Sequence, residues 1–318
     1  MKIPRIDPVL GDSGASFCYI SSKYIDRNEI NLYDLEEYYG EEYPMGSVRL
    51  SQAVGKWQGY LENSPLYRQA AMNGEESIWG KKVKAYDINS YSGSQQQLIL
   101  SHLIANIDDP GGTAIEIGAG PGTFTLPLSR RFKRMTVVEP STAMLNTLEK
   151  QLVQQKITHV HVINEKWENT IVEPHEYVFA LGCLHVFYHI EDALIKMIRA
   201  TGKRLVLLHL AGNGLWDIDY RVANAFHAAP PCYFPPASLL VNILSAMSLE
   251  FSMRVFQVPI LTKWVLPEFV KRYKKMFSLR QMDTTLLEST LAENLEFHDG
   301  CFRIDERMGF AVLDVNIA

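Results

Sequence analysis

The spacing of apolar residues along the chain changes near residue 110. Gln95 to Ile107 places Leu98, Leu100, Leu103, Ile104 and Ile107 at helical spacing, which predicts an amphipathic helix. Asp108-Asp-Pro-Gly-Gly112 breaks it. From there short apolar runs alternate with helical periods. Strands are predicted at Thr113–Ile117, Met135–Glu139, His159–Ile163, Tyr177–Gly182 and Arg204–His209. Helices are predicted between them at Pro121–Arg131, Ser141–Gln155 and 191–200. Ser141 suits an N-cap, with Met144, Leu145, Leu148 and Leu152 on one face. Strands alternating with helices imply βαβ units and a parallel sheet with right-handed crossovers.

The flanks follow other rules. After the last parallel strand come a helix, Pro236–Met247, and a strand, Glu250–Pro259. Helices at Pro267–Phe277 and Thr284–Leu295 precede a final strand within Cys301–Val315. Two late strands after a parallel sheet suggest an antiparallel edge. Upstream, Trp57 to Lys84 reads as helix interrupted at Gly74 and Gly80, and 1–60 is irregular. The acidic, tyrosine-rich stretch Asp34 to Tyr43 reads as a solvated face or loop.

Composition narrows the class. The 318 residues are 47% hydrophobic and 21% charged, enough to build a core and too apolar for global disorder. Net charge is −5, so no overall basic field invites a polyanion, and no nucleic-acid partner is expected. The start, MKIPRIDPVLGDSG, has no apolar h-region, and the apolar run Tyr177–Ile190 is too short to span a bilayer. The four cysteines are scattered without a C-x-x-C pair, which fits reduced thiols in a cytoplasmic protein and no metal site. Gly11-Asp-Ser-Gly14 imitates a serine-nucleophile motif but has no partner pattern. His159 with His161, and His185 with His189, read as structural histidines. The run Lys271-Arg-Tyr-Lys-Lys275 reads as a solvated helix face.

The chemistry concentrates in Ala114-Ile-Glu-Ile-Gly-Ala-Gly-Pro-Gly122. A strand ends there, a glycine turn follows, and a helix begins. Glycines allow a sharp turn and a close ligand approach, and a helix N-terminus offers free N–H groups. Ligands of open parallel sheets lie at the carboxyl ends of the strands. A dinucleotide fingerprint, G-x-G-x-x-G, would need glycine at 123, where Thr123 stands. The spacing is G-x-G-x-G, preceded by Glu116. Glu139 ends the next strand, where a carboxylate can accept two ribose hydroxyls.

This pattern resembles motif I of the class I S-adenosylmethionine-dependent methyltransferases, and Glu139-Pro-Ser-Thr-Ala-Met-Leu145 resembles the stretch that follows in that family. The likeness covers roughly 75–260 and 301–317 and is nearest to the small-molecule, ubiquinone/menaquinone-biosynthesis type. It implies a Rossmann-like, seven-stranded, mostly parallel α/β sheet with helices on both faces, an N-terminal helical cap and a helical insertion before the last strand. It also implies S-adenosylmethionine as cofactor and S-adenosylhomocysteine as product. Trp79, Ala85, Tyr86 and Asp87 match the family's entry helix, which would put Tyr86 near the methionine end of the cofactor. Glu116 would contact the methionyl amine. Gly118, Ala119, Gly120, Pro121 and Gly122 would pass beneath the cofactor, while Glu139, Pro140, Ser141 and Met144 would take its ribose side. Lys166 and Trp167 align with the adenine-contacting pair, although lysine departs from the usual Asp. Leu181 and Gly182 would line the cofactor at the fourth strand's end. Cys183-Leu-His-Val-Phe-Tyr-His-Ile-Glu-Asp192 resembles another stretch of the family and makes His185 the candidate general base.

The long segment 211–235 reads as an active-site loop, rich in aromatics, Pro and Gly. Its candidates for substrate contact are Trp216, Asp217, Tyr220, Arg221, His227 and Tyr233. The expected organisation is a cap over 1–97 and a methyltransferase domain over 98–318, with insertions at about 211–235 and 261–300. The expected activity is methyl transfer to a small molecule at O, N, S or C. A nicotinamide dehydrogenase, a non-catalytic cofactor-binding module and a protein methyltransferase are the alternatives.

Overall fold

A computed structural model describes the backbone of 17–21 and residues 49–74, 76–86, 93–108, 111–212, 216–228, 234–277 and 281–317. The predicted parallel strands are present as β2 (Thr113–Ile117), β3 (Arg134–Val138), β4 (Val160–Ile163), β5 (His175–Leu181) and β6 (Thr201–Leu210). They pair in parallel in the order β6-β5-β2-β3-β4. The late strands, β7 (Phe251–Trp264) and β9 (Cys301–Asn316), complete the expected seven. β9 lies antiparallel between β6 and β7. Two more strands join the sheet. The short β8 (Glu296–His298) pairs with β9, and β1 (Phe17–Ser21) adds an antiparallel edge beside β7 within a segment that reads as irregular in sequence.

Helices cover both faces of this sheet, so both faces of its strands must be apolar. Along β5, Val178 and Ala180 join a core with Trp57, Leu194 and Leu240, while Tyr177 and Phe179 join another with Leu103, Phe132 and Leu148. The alternation is the two-residue period of a strand. The first face is covered by α1 (Leu50–Asn63), α7 (Ile190–Arg199) and α9 (Ala237–Ala246). The second is covered by α4 (Gly93–Ala105), α5 (Thr125–Ser129) and α6 (Thr142–Gln154). Ser141 caps α6 as expected, accepting from the Met144 N–H at 3.3 Å.

Several boundaries differ from the sequence expectation, and four of them have a local reason. The helix expected over Trp57–Lys84 is three helices: α1, α2 (Pro65–Asn73) and α3 (Glu76–Tyr86). Pro65 and the Ser64 cap restart the chain, and Gly74 at φ +78° ends the second piece, whereas Gly80 interrupts nothing. The helix expected from Pro121 begins only at Thr125, because the glycine turn extends through Gly122. β7 continues past Pro259 to Trp264. Among the described residues β1 covers β7 from Ser252 to Phe256, short of Pro259, whose ring has no N–H to donate on that side. The insertion expected at 261–300 is therefore shorter. It consists of α10 (Leu266–Met276), α11 (Thr284–Asn294) and β8.

The β7–β9 arms carry this insertion on a third core. Phe269 and Tyr273 of α10, Leu287 and Leu291 of α11, and Ile218 and Val222 of α8 (Asp217–Ala225) meet there. Arg272 departs from the solvated face expected of its run. It bonds the fully buried Asp219 at 2.7 Å and lies 4.4 Å from the Trp216 ring. Removing one member of a buried pair strands the other charge. We expect Arg272→Ala to lower unfolding free energy by about 3 kcal/mol. The double variant Arg272→Ala, Asp219→Ala should lose less than the two single losses combined, as read from urea denaturation curves.

Candidate active site

The glycine turn is built by a packing constraint. Gly118 extends the parallel ladder by one bond, its N–H donating to the Val138 carbonyl at 2.7 Å. The chain then turns through Gly118, Gly120 and Gly122 at φ +69°, +56° and +97°. A Cβ at Gly118 would meet the Cys183 Cβ at 2.4 Å, and one at Gly122 would meet Leu148 at 2.5 Å. A Cβ at Gly120 would meet nothing within 4 Å, so that peptide faces open space.

Two carboxylates flank this opening. Glu139 follows β3 and is held from both sides, accepting from the Gly120 and Ser141 N–H groups at 2.9 Å each. Glu116, on β2, is 1% exposed and accepts from the Thr125 hydroxyl at 2.6 Å. Burial pushes its carboxyl up to about 8, and the charge of Glu139 adds to the rise, against the opposing pull of Thr125. Glu116 is therefore largely protonated at neutral pH in the unliganded protein. Between them the buried Cys183 thiol donates to the Ile117 carbonyl at 3.0 Å, and burial raises its pKa as well.

These groups line one cavity of about 360 Å³ at the carboxyl edge of the sheet. Of the cofactor candidates, Glu116, Gly118, Ala119, Gly120, Pro121, Glu139, Pro140, Met144, Leu181 and Gly182 line it, as does His185. Gly122 and Ser141 stand behind the lining as supports. The Tyr86 side chain lies outside the described residues. The adenine-contacting pair is placed differently from the expectation. Lys166 is exposed, and Trp167 is buried under α7, its indole N–H donating to the Ala193 carbonyl at 3.3 Å. The core takes Trp167 because its ring supplies apolar area there.

None of the described substrate candidates lines the cavity. Trp216 packs on Arg272 and Trp264, while Asp217 and Arg221 border a separate polar cleft with Arg303. Tyr220 and His227 are exposed, and Tyr233 is outside the described residues. The reason is the pull of the third core on α8 through Ile218, Val222 and Asp219. From segment 211–235 the cavity receives Phe234 instead. Sequence reasoning also missed His209, Leu210, Val258, Met308 and Phe310 as lining residues, and Trp79 as more than part of a helix motif. Strand alternation marks which faces are apolar, but not which end meets a cavity.

A second constraint holds this end of the cavity. His209, 1% exposed, donates from Nε2 to the Pro235 carbonyl at 2.7 Å, beside Phe234. Its ring packs on Trp57 of α1 at 5.4 Å. The Trp57 indole N–H in turn donates to the Phe187 carbonyl at 2.9 Å, two residues beyond His185. One contact thus fixes both segments that bring Phe234 and His185 together, ring edge to face at 4.5 Å. Burial lowers the His209 pKa to about 4, so its ring is neutral.

Residues 114–205 match a family model for a methyltransferase domain. A probable ribosomal RNA small subunit methyltransferase A from Methanosphaera stadtmanae is 32% identical over 77 residues, 23% of this chain. That match spans 28% of the relative's own length. Among solved structures, the YcgJ protein of Bacillus subtilis is similar over 69% of this chain and 98% of its own, at 12% identity and a TM-score of 0.49. Geranyl diphosphate C-methyltransferase of Streptomyces coelicolor is similar over 92% and 94%, at 17% identity and a TM-score of 0.43.

The glycines differ in what they constrain. Gly118→Ala meets Cys183 as well as left-handed strain, whereas Gly120→Ala carries only the strain, of about 1–2 kcal/mol. We therefore expect Gly118→Ala to lower the thermal midpoint clearly more than Gly120→Ala, as measured by calorimetry on the unliganded protein.

Proposed function

We propose that the methyltransferase domain matched over 114–205 is of the class I, S-adenosylmethionine-dependent kind and that the protein transfers the cofactor's methyl group to a small molecule. The observation that carries this reading is the open peptide at Gly120 between two buried carboxylates at one cavity. These residues fit the cofactor. Gly120 leaves room for a ligand against the main chain, Glu139 sets an acceptor carboxylate at the cavity edge beside it, and Glu116 suits a cationic amine. When bound, S-adenosylmethionine supplies an electrophilic methyl on a sulfonium and leaves as S-adenosylhomocysteine.

The chain's own residues bind, orient and exclude water. Glu139 receives the ribose hydroxyls while the Gly120 and Ser141 N–H groups hold its two oxygens in place. Glu116 holds the methionyl ammonium once its carboxyl has lost its proton. The apolar lining keeps water from the reacting atoms, and alignment supplies much of the acceleration. His185 is presented to the cavity between Phe234 and Trp79, placed to orient an acceptor or take its proton. In this reading 98–318 is the catalytic unit, 1–97 caps it, and the site works in the cytoplasm. No helix among the described residues is long and apolar enough to cross a membrane.

The likeness to a probable ribosomal RNA methyltransferase favours a second reading, an RNA acceptor. Against it stand the net charge of −5 and a cavity whose described lining includes no Lys or Arg. Methylation assays with RNA and with a metabolite panel separate the two readings.

Calorimetry should detect binding of both S-adenosylmethionine and S-adenosylhomocysteine. No binding of either at millimolar concentration overturns the methyltransferase reading. Glu139→Ala should weaken S-adenosylhomocysteine binding by at least about tenfold through lost charge-assisted bonds. Its thermal midpoint reports whether the fold is retained.

Glu116 adds a pH dependence whose sign is fixed. Its carboxyl titrates at about 8 when unliganded, and an ammonium ligand favours the carboxylate. Below that pH, binding must expel the proton, so affinity for S-adenosylhomocysteine should rise up to about tenfold per pH unit toward pH 8 and level off above it. Glu116→Gln should flatten the profile, and a flat wild-type profile rules this coupling out.

A further inference from the structure

The cavity has two chemically different halves. The glycine half holds Glu116, Glu139 and open backbone. The other half lies across β5, where the end of β6 sits beside the middle of β9 and of β7. Leu210 pairs with Phe310, and Met308 with Val258. Phe234 closes this half from its loop, and Trp79 of α3 lines the cavity against the His185 ring. Resting on the methyltransferase reading, we propose that this second half is the acceptor chamber and that it takes an uncharged, ring-bearing apolar molecule.

Three observations carry the assignment. The first is charge. No Lys or Arg is among the described residues lining the cavity, and the carboxylates belong to the glycine half. The buried His209 at this end supplies no fixed cation, since it donates to Pro235 and is held neutral by burial. A phosphate or carboxylate placed here would be desolvated with no counter-charge among the described lining residues. The second is shape. Phe234 meets His185 edge to face, and Trp79 lies tilted 59° to the same imidazole. Such angled aromatic walls receive a flat ring in offset or edge contacts. The third is adaptability. Met308 is a flexible, polarizable wall that fits irregular apolar outlines. His185 is then the group that meets the acceptor's single polar atom.

The test uses two probes with one ring system, 2-naphthol and 2-naphthyl phosphate. Both are titrated by equilibrium dialysis into full-length protein saturated with S-adenosylhomocysteine. We expect 2-naphthol to bind at least about tenfold more tightly than its phosphate ester. Val258→Phe, which fills the chamber, should abolish 2-naphthol binding while changing S-adenosylhomocysteine affinity less than about threefold. Met308→Lys should reverse the preference and bring 2-naphthyl phosphate in, a gain that misfolding cannot imitate. Equal or tighter binding of the phosphate to the wild type overturns the proposal. So does failure of 2-naphthol to bind a protein that does bind S-adenosylhomocysteine, and in that case the methyltransferase reading survives. Failure to bind S-adenosylhomocysteine removes both.

Discussion

The structure depends on how the chain leaves β2. Gly118 must add one more rung to the ladder, turn at positive φ and let the Cys183 side chain lie where its own Cβ would be. That close approach brings the end of β5 against the end of β2, and the Cys183 thiol bonds the last β2 carbonyl. With those two strand ends clamped, the next peptide is free to face the cavity. The Gly120 N–H then reaches Glu139, just past the end of the neighbouring strand. Turn, strand contact and carboxylate placement are therefore one arrangement, and a side chain at Gly118 disturbs all three.

At the other end the same role falls to a pair of rings. Trp57 and His209 are both buried, and each has a polar hydrogen that must find an acceptor. Both acceptors are backbone carbonyls in segments around the cavity, Phe187 and Pro235. Burial of the N-terminal helix thus sets the cavity wall directly. This gives α1 a structural reason to accompany the parallel sheet, although its sequence carries no cofactor motif.

How much of this was legible in the sequence follows from the range of each interaction. The inner strands β2, β3 and β5 announce themselves because burial on both faces makes them nearly continuously apolar, while β4 at the edge is only partly buried. The glycine spacing announces the turn because only glycine tolerates those dihedrals. Long-range competition for side chains is not written locally. Trp167 could serve a ligand or the core beneath α7, and the packing of Ala193 and Lys196 around it decides for the core. Trp216, Asp217 and Arg221 sit in a loop that looks functional, yet a buried carboxylate two residues along draws α8 away to Arg272. Phe310 and Val258 read as ordinary strand residues. Their position at the cavity follows from β9 inserting between β6 and β7, a register no local pattern states.

The two halves of the cavity suit opposite demands of the proposed reaction. Binding a cation calls for carboxylates, and the glycine half supplies them within a buried setting where their attraction is strong. The transfer step calls for something else. Moving a methyl from a sulfonium to an uncharged atom spreads one positive charge over two centres. Apolar surroundings penalise a concentrated charge more than a spread one, so they favour the transition state over the reactants. Carboxylates spread evenly around the cavity would bind the cation more tightly but stabilise the reactants as well. Confining Glu116 and Glu139 to one side of β5, and lining the other with Val258, Met308 and Phe310, separates binding from transfer in space. An uncharged acceptor gains from that division, whereas an anionic one would lose its solvation in the chamber with no cationic partner among the described lining residues.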